Sequence, residues 1–418
     1  MSLPGTDRDW SLSVYLQRLF KLAGGHALGA AGDLYFKPID AARREIEAAG
    51  GHFASFANYD YLGLSRHPAI KAAAIEAVET FGSGALASRF VGGERTIHRD
   101  LEAALARFVG AEATVALVSG FLTNETLIST LLANRDLIVV DELSHASILA
   151  GLKSTHARHI AFRHNDPDHL DAILTEHRAE HPNCLIVLEG LYSMDGDAPD
   201  LARMLDIRDR HRAWMMIDES HSHGVLGARG RGLPEYADVD PARIDLITGT
   251  LSKTFVSCGG FVAASREIVE ILRHGLPGFV YSVGMPPVVA AMALKAVELA
   301  ESEPERVARL AEKSGRMIAR ARAAGLDTSD AIGRGIVPIL FPNAETTVGA
   351  ALALMRAGIY APPIIQAGVP RDRPRIRFFI SADHEDADID RAIDVLVDHV
   401  AESSSEGPRS RAAVSAPA

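Results

Sequence analysis

Hydrophobic and polar positions alternate between two rhythms along most of the chain. Short, nearly continuous apolar runs at 114–118, 137–140, 184–188, 213–217 and 245–247 read as strands buried on both faces, the pattern of a parallel sheet. Between them, 124–132, 168–177 and 200–211 place apolar residues three and four apart, which predicts crossover helices. That succession predicts an α/β fold built on a mostly parallel, doubly wound sheet. Beyond Pro287 the rhythm changes to a long Ala- and Glu-rich helical stretch, then strand-like 336–341 and 376–380, then a closing helix. In that helix Ile389, Ala392, Ile393, Leu396, Val397 and Val400 share one stripe. The expected organisation is an N-terminal arm over 1–50, a large domain over 51–290, a smaller α+β domain over 291–403 and a disordered tail over 404–418.

Composition narrows the function classes. With 418 residues, 47% of them hydrophobic and 23% charged, the chain can bury a large core. A formal charge of -11 argues against a nucleic-acid binder, whose affinity rests on clustered Lys and Arg. No apolar stretch approaches the roughly 20 residues that span a bilayer, and the polar start is unlike a signal peptide. A soluble, cytoplasmic enzyme of small molecules is expected. The two cysteines, Cys184 and Cys258, are read as core packing rather than a disulfide or metal site.

In an open α/β sheet ligands bind beyond the carboxyl ends of the strands. The predicted strands end in turn on Ser119-Gly120-Phe121, on Asp141 and then His145, on Glu189 and Ser193, on Asp218 and His221, and on Thr250 and Lys253. Together these offer a carboxylate for an aromatic cation, hydroxyls and N–H groups at a helix start for a phosphate, and an amine for an aldehyde. Pyridoxal 5'-phosphate (PLP) has all three features.

The order of these groups resembles the α-oxoamine synthase family of fold-type I PLP enzymes, from about Phe56 to Val400. The resemblance is carried by Tyr61-Leu62-Gly63-Leu64 with His67-Pro68, Ser119-Gly120-Phe121, His145-Ala146-Ser147, Ser193-Met194-Asp195-Gly196-Asp197, Asp218-Glu219-Ser220-His221-Ser222, Gly249-Thr250-Leu251-Ser252-Lys253 and Arg375-Ile376-Arg377. It implies that Lys253 holds the cofactor as a Schiff base and moves the Cα proton. Asp218 then pairs with the pyridine nitrogen, His145 stacks on the ring, His221 bonds its phenolic oxygen and Ser193 joins that network. Gly120, Phe121 and Thr250 bind the phosphate, with Ser282 contributed by the second subunit of a homodimer. Arg377, rather than Arg375, receives the amino-acid carboxylate.

The implied reaction is a decarboxylative condensation of an amino acid with an acyl thioester, from acyl-CoA or an acyl-carrier protein, giving an α-amino ketone. Tyr59 resembles the serine palmitoyltransferases, which favours serine, a long-chain donor and a place in sphingolipid synthesis. Ser220 and the stretch 162–166 resemble autoinducer synthases instead, and 8-amino-7-oxononanoate synthase is a further alternative. A PLP aminotransferase is the rival of another class. A non-catalytic subunit is disfavoured by retention of Lys253. Two patterns are read as incidental: Asn124-Glu125-Thr126 as a sequon in letters only, and His164, His169 and His177 as solvated histidines rather than metal ligands.

Overall fold

The computed structural model describes residues 11–22, 34–35, 45–48, 51–365 and 373–405. In chain order the strands are β1 (Glu45–Ala48), β2 (Gly51–Ser55), β3 (Ala113–Leu117), β4 (Leu137–Asp141), β5 (Arg158–Phe162), β6 (Cys184–Glu189), β7 (Trp214–Asp218), β8 (Leu246–Thr250), β9 (Gly260–Ala264), β10 (Ile336–Leu340), β11 (Ile359–Tyr360), β12 (Pro363–Ile364) and β13 (Arg375–Phe379). Strands β3 to β9 form a seven-stranded sheet in the order β3-β9-β8-β7-β6-β4-β5, and only β9 runs against the others. This is the mostly parallel sheet that the apolar runs predict.

The sheet forms because its strands are apolar on both faces. Leu137, Val139, Ile186, Leu188, Met215 and Ile217 enter one core, while the alternate residues Ile138, Val140, Leu185, Val187 and Met216 enter the other. Helices Gly120–Leu131, Ala146–Ser154, Pro167–His177 and Leu201–His211 cover these faces. The Ala-rich stretch after Pro287 becomes two helices, Pro287–Ser302 and Glu305–Ala323, divided at Pro304, which cannot continue the first. Buried Ala290, Ala293 and Ala296 keep the first of them close to helices Pro68–Phe81 and Thr96–Val109.

A second, antiparallel sheet of order β10-β13-β12 carries Arg375 and Arg377 two residues apart, hence on one face. The helices Glu305–Ala323 and Asp386–Ser405 beside it are linked by a ladder of Lys313 with Asp386, Arg316 with Asp390 and Arg320 with Asp394.

Three sequence readings change. The closing helix continues to Ser405, past the expected start of the tail at 404, and the rest of that tail lies outside the described residues. Much of the expected arm also lies outside them. Its described parts pack on this chain: β1 pairs with β2, Leu34 is buried, and the Tyr360 hydroxyl donates to the Leu34 carbonyl. Cys258 is exposed, whereas Cys184 is buried and its thiol is pushed up to about 12 by burial.

Candidate active site

The parallel strands deliver their C-terminal residues to one cavity of about 220 Å³, lined by Ser119, Gly120, Phe121, Asn124, His145, Ser147, Glu189, Asp218, Ser220, His221, Thr250, Ser252 and Lys253. Most come from a strand end or the turn that follows it, and Asn124 and Ser147 from the first turns of the helices beyond, which is why residues 134 apart in sequence, Ser119 and Lys253, meet here.

Asp218 closes β7 and is buried. Its Oδ1 accepts the Ser220 N–H at 3.0 Å and its Oδ2 accepts the Asn124 amide at 2.6 Å. Asn124 also donates to Ser147 Oγ at 3.0 Å and accepts from Thr248 Oγ1 at 2.8 Å. Ser147 Oγ in turn lies 2.8 Å from His145 Nδ1. Asn124 therefore belongs to the site, and its reading as a bystander in a chance sequon is corrected. The only signal for it in the sequence was its place one helical turn after Gly120.

His145 sits at the open face of the cavity, and its backbone N–H donates to Glu189 Oε1 at 2.5 Å. Loss of hydration lowers its pKa against the pull of Asp218, with Lys253 and Arg377 adding to the depression. Burial also raises Glu189 well above the usual carboxylate range. His221 is buried and held far below its ordinary value by desolvation, then by Lys253 and Arg377, so its ring is neutral. The Tyr61 hydroxyl, 2.7 Å from His221 Nδ1, is kept protonated by its own burial. In the tautomer where Tyr61 donates to Nδ1, the single N–H of the neutral His221 ring stands on Nε2. The sequence motif contained Tyr61 but gave it no role.

Lys253 follows β8 at the cavity wall. Its amine is pushed down to about 8, mainly by burial, with Asp218 and Glu189 opposing and Arg377 assisting. Its Nζ is 5.7 Å from the centre of the Tyr59 ring, which packs edge-on against His221 and Phe379. Arg377 stacks over Phe379 at 4.3 Å and donates from Nη1 to the Ser193 carbonyl at 2.8 Å, while its buried Nε has no partner. Arg375 is fully engaged by Asp195 Oδ1 at 2.7 Å and the Met194 carbonyl at 2.8 Å. Ser193 reaches the site through its carbonyl, and Ser282 lies outside this chain's cavity.

Where helix Gly120–Leu131 begins, backbone N–H groups and hydroxyls stand together in a way that suits a phosphate. A Cβ at Gly120 would come within 2.8 Å of Thr250 Oγ1, so only glycine lets the helix start approach the Thr250 and Ser252 hydroxyls. With the Asp218 carboxylate and the lowered Lys253 amine, the residues fit PLP.

His164 is not a solvated histidine. It lies between Asp141 and Asp197, 2.9 Å from each, and these carboxylates overcome its desolvation to raise it to about 10. His169 and His177 take no part in this group, and no metal-binding cluster occurs among the described residues. No helix among those residues is long and apolar enough to cross a membrane.

Comparison with known proteins agrees with this geometry. The aminotransferase class I and II family profile matches residues 52–396. A putative 8-amino-7-oxononanoate synthase of Caulobacter sp. is 40% identical over 85% of this chain and 90% of its own. The 8-amino-7-oxononanoate synthase of Methylocella silvestris is 37% identical over 85% and 99%. Among solved structures, a serine palmitoyltransferase of S. paucimobilis with a bound PLP–myriocin aldimine is 28% identical, covers 94% of this chain and 100% of its own, and superposes with a TM-score of 0.89. The chain belongs to the aminotransferase class I and II family and, within it, to the α-oxoamine synthases, PLP-dependent enzymes that transfer acyl groups.

Proposed function

We propose that this enzyme condenses a small L-amino acid with an acyl thioester, releasing carbon dioxide and the thiol and leaving an α-amino ketone. The observation that carries the proposal is the meeting of a depressed lysine amine and a buried carboxylate in one cleft, with Arg377 near enough to add to the depression of the lysine. PLP supplies an electron sink for the amino acid's Cα. Lys253, with a pKa of about 8, is partly neutral near neutral pH and takes the Cα proton. With PLP bound, Asp218 would pair with the ring nitrogen, His221 would donate to the ring's oxygen and His145 would cover the ring. The Nε edge of Arg377 receives the amino-acid carboxylate.

For the substrates, the reading with most support is that of an 8-amino-7-oxononanoate synthase, the printed name of relatives at 37–40% identity over most of the chain. That name describes an amino group on C8 beside a C9 methyl and a ketone at C7. The C8–C9 unit is alanine without its carboxyl, and the remaining seven carbons are an ω-carboxyacyl group. Serine with a long-chain donor is the second reading, favoured by the 28%-identical serine palmitoyltransferases and by Tyr59. The geometry weakens the Tyr59 argument, because that ring packs on Lys253 and Phe379, at the amino-acid side of the site. Carbon dioxide release measured with alanine or serine against a seven-carbon ω-carboxyacyl or a palmitoyl thioester decides between them. Turnover confined to serine and palmitoyl donor overturns the first reading, and amino-group transfer without carbon dioxide overturns both.

The working unit is a homodimer in this proposal. Leu86, Phe90, Val91, Phe121, Tyr281 and Val283 are each exposed apolar residues, which supports this reading, and Ser282, between the last two, would reach a second copy's phosphate site.

A further inference from the structure

We propose that His164 is a positioning residue for substrate binding: clamped between Asp141 and Asp197, it fixes the 193–197 segment whose Ser193 carbonyl sets the guanidinium of Arg377. This rests on the reading of Arg377 as the group that receives the amino-acid carboxylate.

The clamp is built from a strand end and a loop. Asp141 closes β4, and its Oδ2 accepts the N–H of Asn165, a residue held at φ 48°, in the left-handed region. Asn165 also donates through Nδ2 to Asp197 Oδ2 at 2.6 Å, the oxygen that His164 Nε2 contacts at 2.9 Å. Both carboxylates are buried, and buried carboxylates without a cation between them repel and lose hydration. The imidazolium is what allows Asp197 to lie against Asp141. The edge of Tyr192 against the His164 ring, at 4.5 Å between centres, limits its rotation.

From Asp197 the segment runs back to Arg377. Its other side is held by Arg375 through Asp195 and Met194, and by the Ile332 N–H on the Gly196 carbonyl. Ser193 then accepts from Arg377 Nη1 at 2.8 Å. The segment is thus held by Arg375 and Ile332 on one side, by His164 and Asn165 on the other, and by its own turn, in which Gly196 N–H donates to the Tyr192 carbonyl and Tyr192 N–H to the Asp197 carbonyl. Loss of the charged His164 contact lets the Ser193 carbonyl shift. Displacement of a substrate-holding group by about 1 Å is enough to change rates by about 100-fold.

The test titrates the holoenzyme with its amino acid, followed through the coenzyme's absorbance, alongside steady-state kinetics. His164→Gln keeps one hydrogen bond and removes the cation. Its amino-acid dissociation constant should rise about tenfold, with coenzyme affinity and the thioester KM within about twofold of the parent. Added to Arg377→Lys, His164→Gln should have no further effect, and Asp197→Asn should reproduce the single-variant pattern if His164→Gln does not fold. An unchanged amino-acid affinity in His164→Gln, with affinity lost in Arg377→Lys, overturns the coupling and leaves the role of Arg377 standing. Affinity unchanged in both variants overturns the two together. Coenzyme affinity falling in parallel with amino-acid affinity would make His164 a general staple of the fold and also sink the proposal.

Discussion

Replacing Asn124 with alanine tests whether the Asp218 carboxylate is held in a working state by a residue that touches no substrate. Asn124 is buried, and its amide serves three groups: Asp218 Oδ2, Ser147 Oγ and Thr248 Oγ1. A hydrogen bond to a charged acceptor contributes about 1.5–3 kcal/mol. If that contribution is felt wholly where Asp218 stabilises the protonated ring, kcat/KM falls roughly 10- to 150-fold. The carboxylate keeps its bond from the Ser220 N–H, so activity is reduced rather than abolished. Stability should fall as well, by about 2–4 kcal/mol, because Thr248 loses its acceptor and a buried amide leaves a void. Asn124→Asp is the sharper variant: two carboxylates at the 2.6 Å separation now bridged by an amide must share a proton, so its loss should deepen as pH rises. Thermal melts, coenzyme binding and kcat/KM across pH read these effects separately. An Asn124→Ala enzyme within twofold of the parent in kcat/KM would refute the assignment of Asn124 as the support of Asp218.

Two further outcomes follow from the same cleft. Capture of PLP by the coenzyme-free protein needs the neutral Lys253 amine; with the pKa lowered to about 8, the capture rate should climb about tenfold per pH unit below 8 and level off above it. Stopped-flow mixing with PLP measures this, and a rate still climbing toward the ordinary lysine pKa would show that burial does not depress Lys253. Arg375→Met should destabilise the fold by about 3–5 kcal/mol, since Asp195 is left buried without its cation, whereas Arg377→Met should leave stability near the parent and remove activity. A larger drop in melting temperature for Arg377→Met than for Arg375→Met would contradict that division of labour.

The sheet was legible because parallel strands buried on both faces have to be nearly continuous apolar runs, and the runs that end in Leu117, Asp141, Glu189, Asp218 and Thr250 are of that kind. Strand β5 was not legible. As the sheet's edge it leaves Arg158 and His159 exposed, so nothing in Arg158–Phe162 is required to be apolar except the inward Ile160 and Phe162. Strand β9 escaped for another reason: Gly260–Ala264 is short and rich in Gly and Ala, and its antiparallel course is fixed by the turn after Lys253 and by the close approach of Gly260 to Gly120.

The site divides along a similar line. Lys253, Asp218, His145, His221 and Thr250 were legible as polar residues standing just where apolar runs stop, a position that parallel topology turns into proximity. Asn124, Ser147, Tyr61 and His164 act through other side chains, and a residue of that kind carries no mark of its own: its role is a distance to something remote in sequence, such as the 94 positions between Asn124 and Asp218. Arg375 and Arg377 make the point from the opposite side. Two residues apart on one face of β13, they are equivalent by pattern. They become different only because the 193–197 segment presents a carboxylate to the first and a carbonyl to the second. One arginine is neutralised, and the other keeps a charge and an Nε without a partner. That unequal pairing is set by a loop rather than by the strand, and it is what supports the proposed role of Arg377 over Arg375 in receiving an incoming carboxylate.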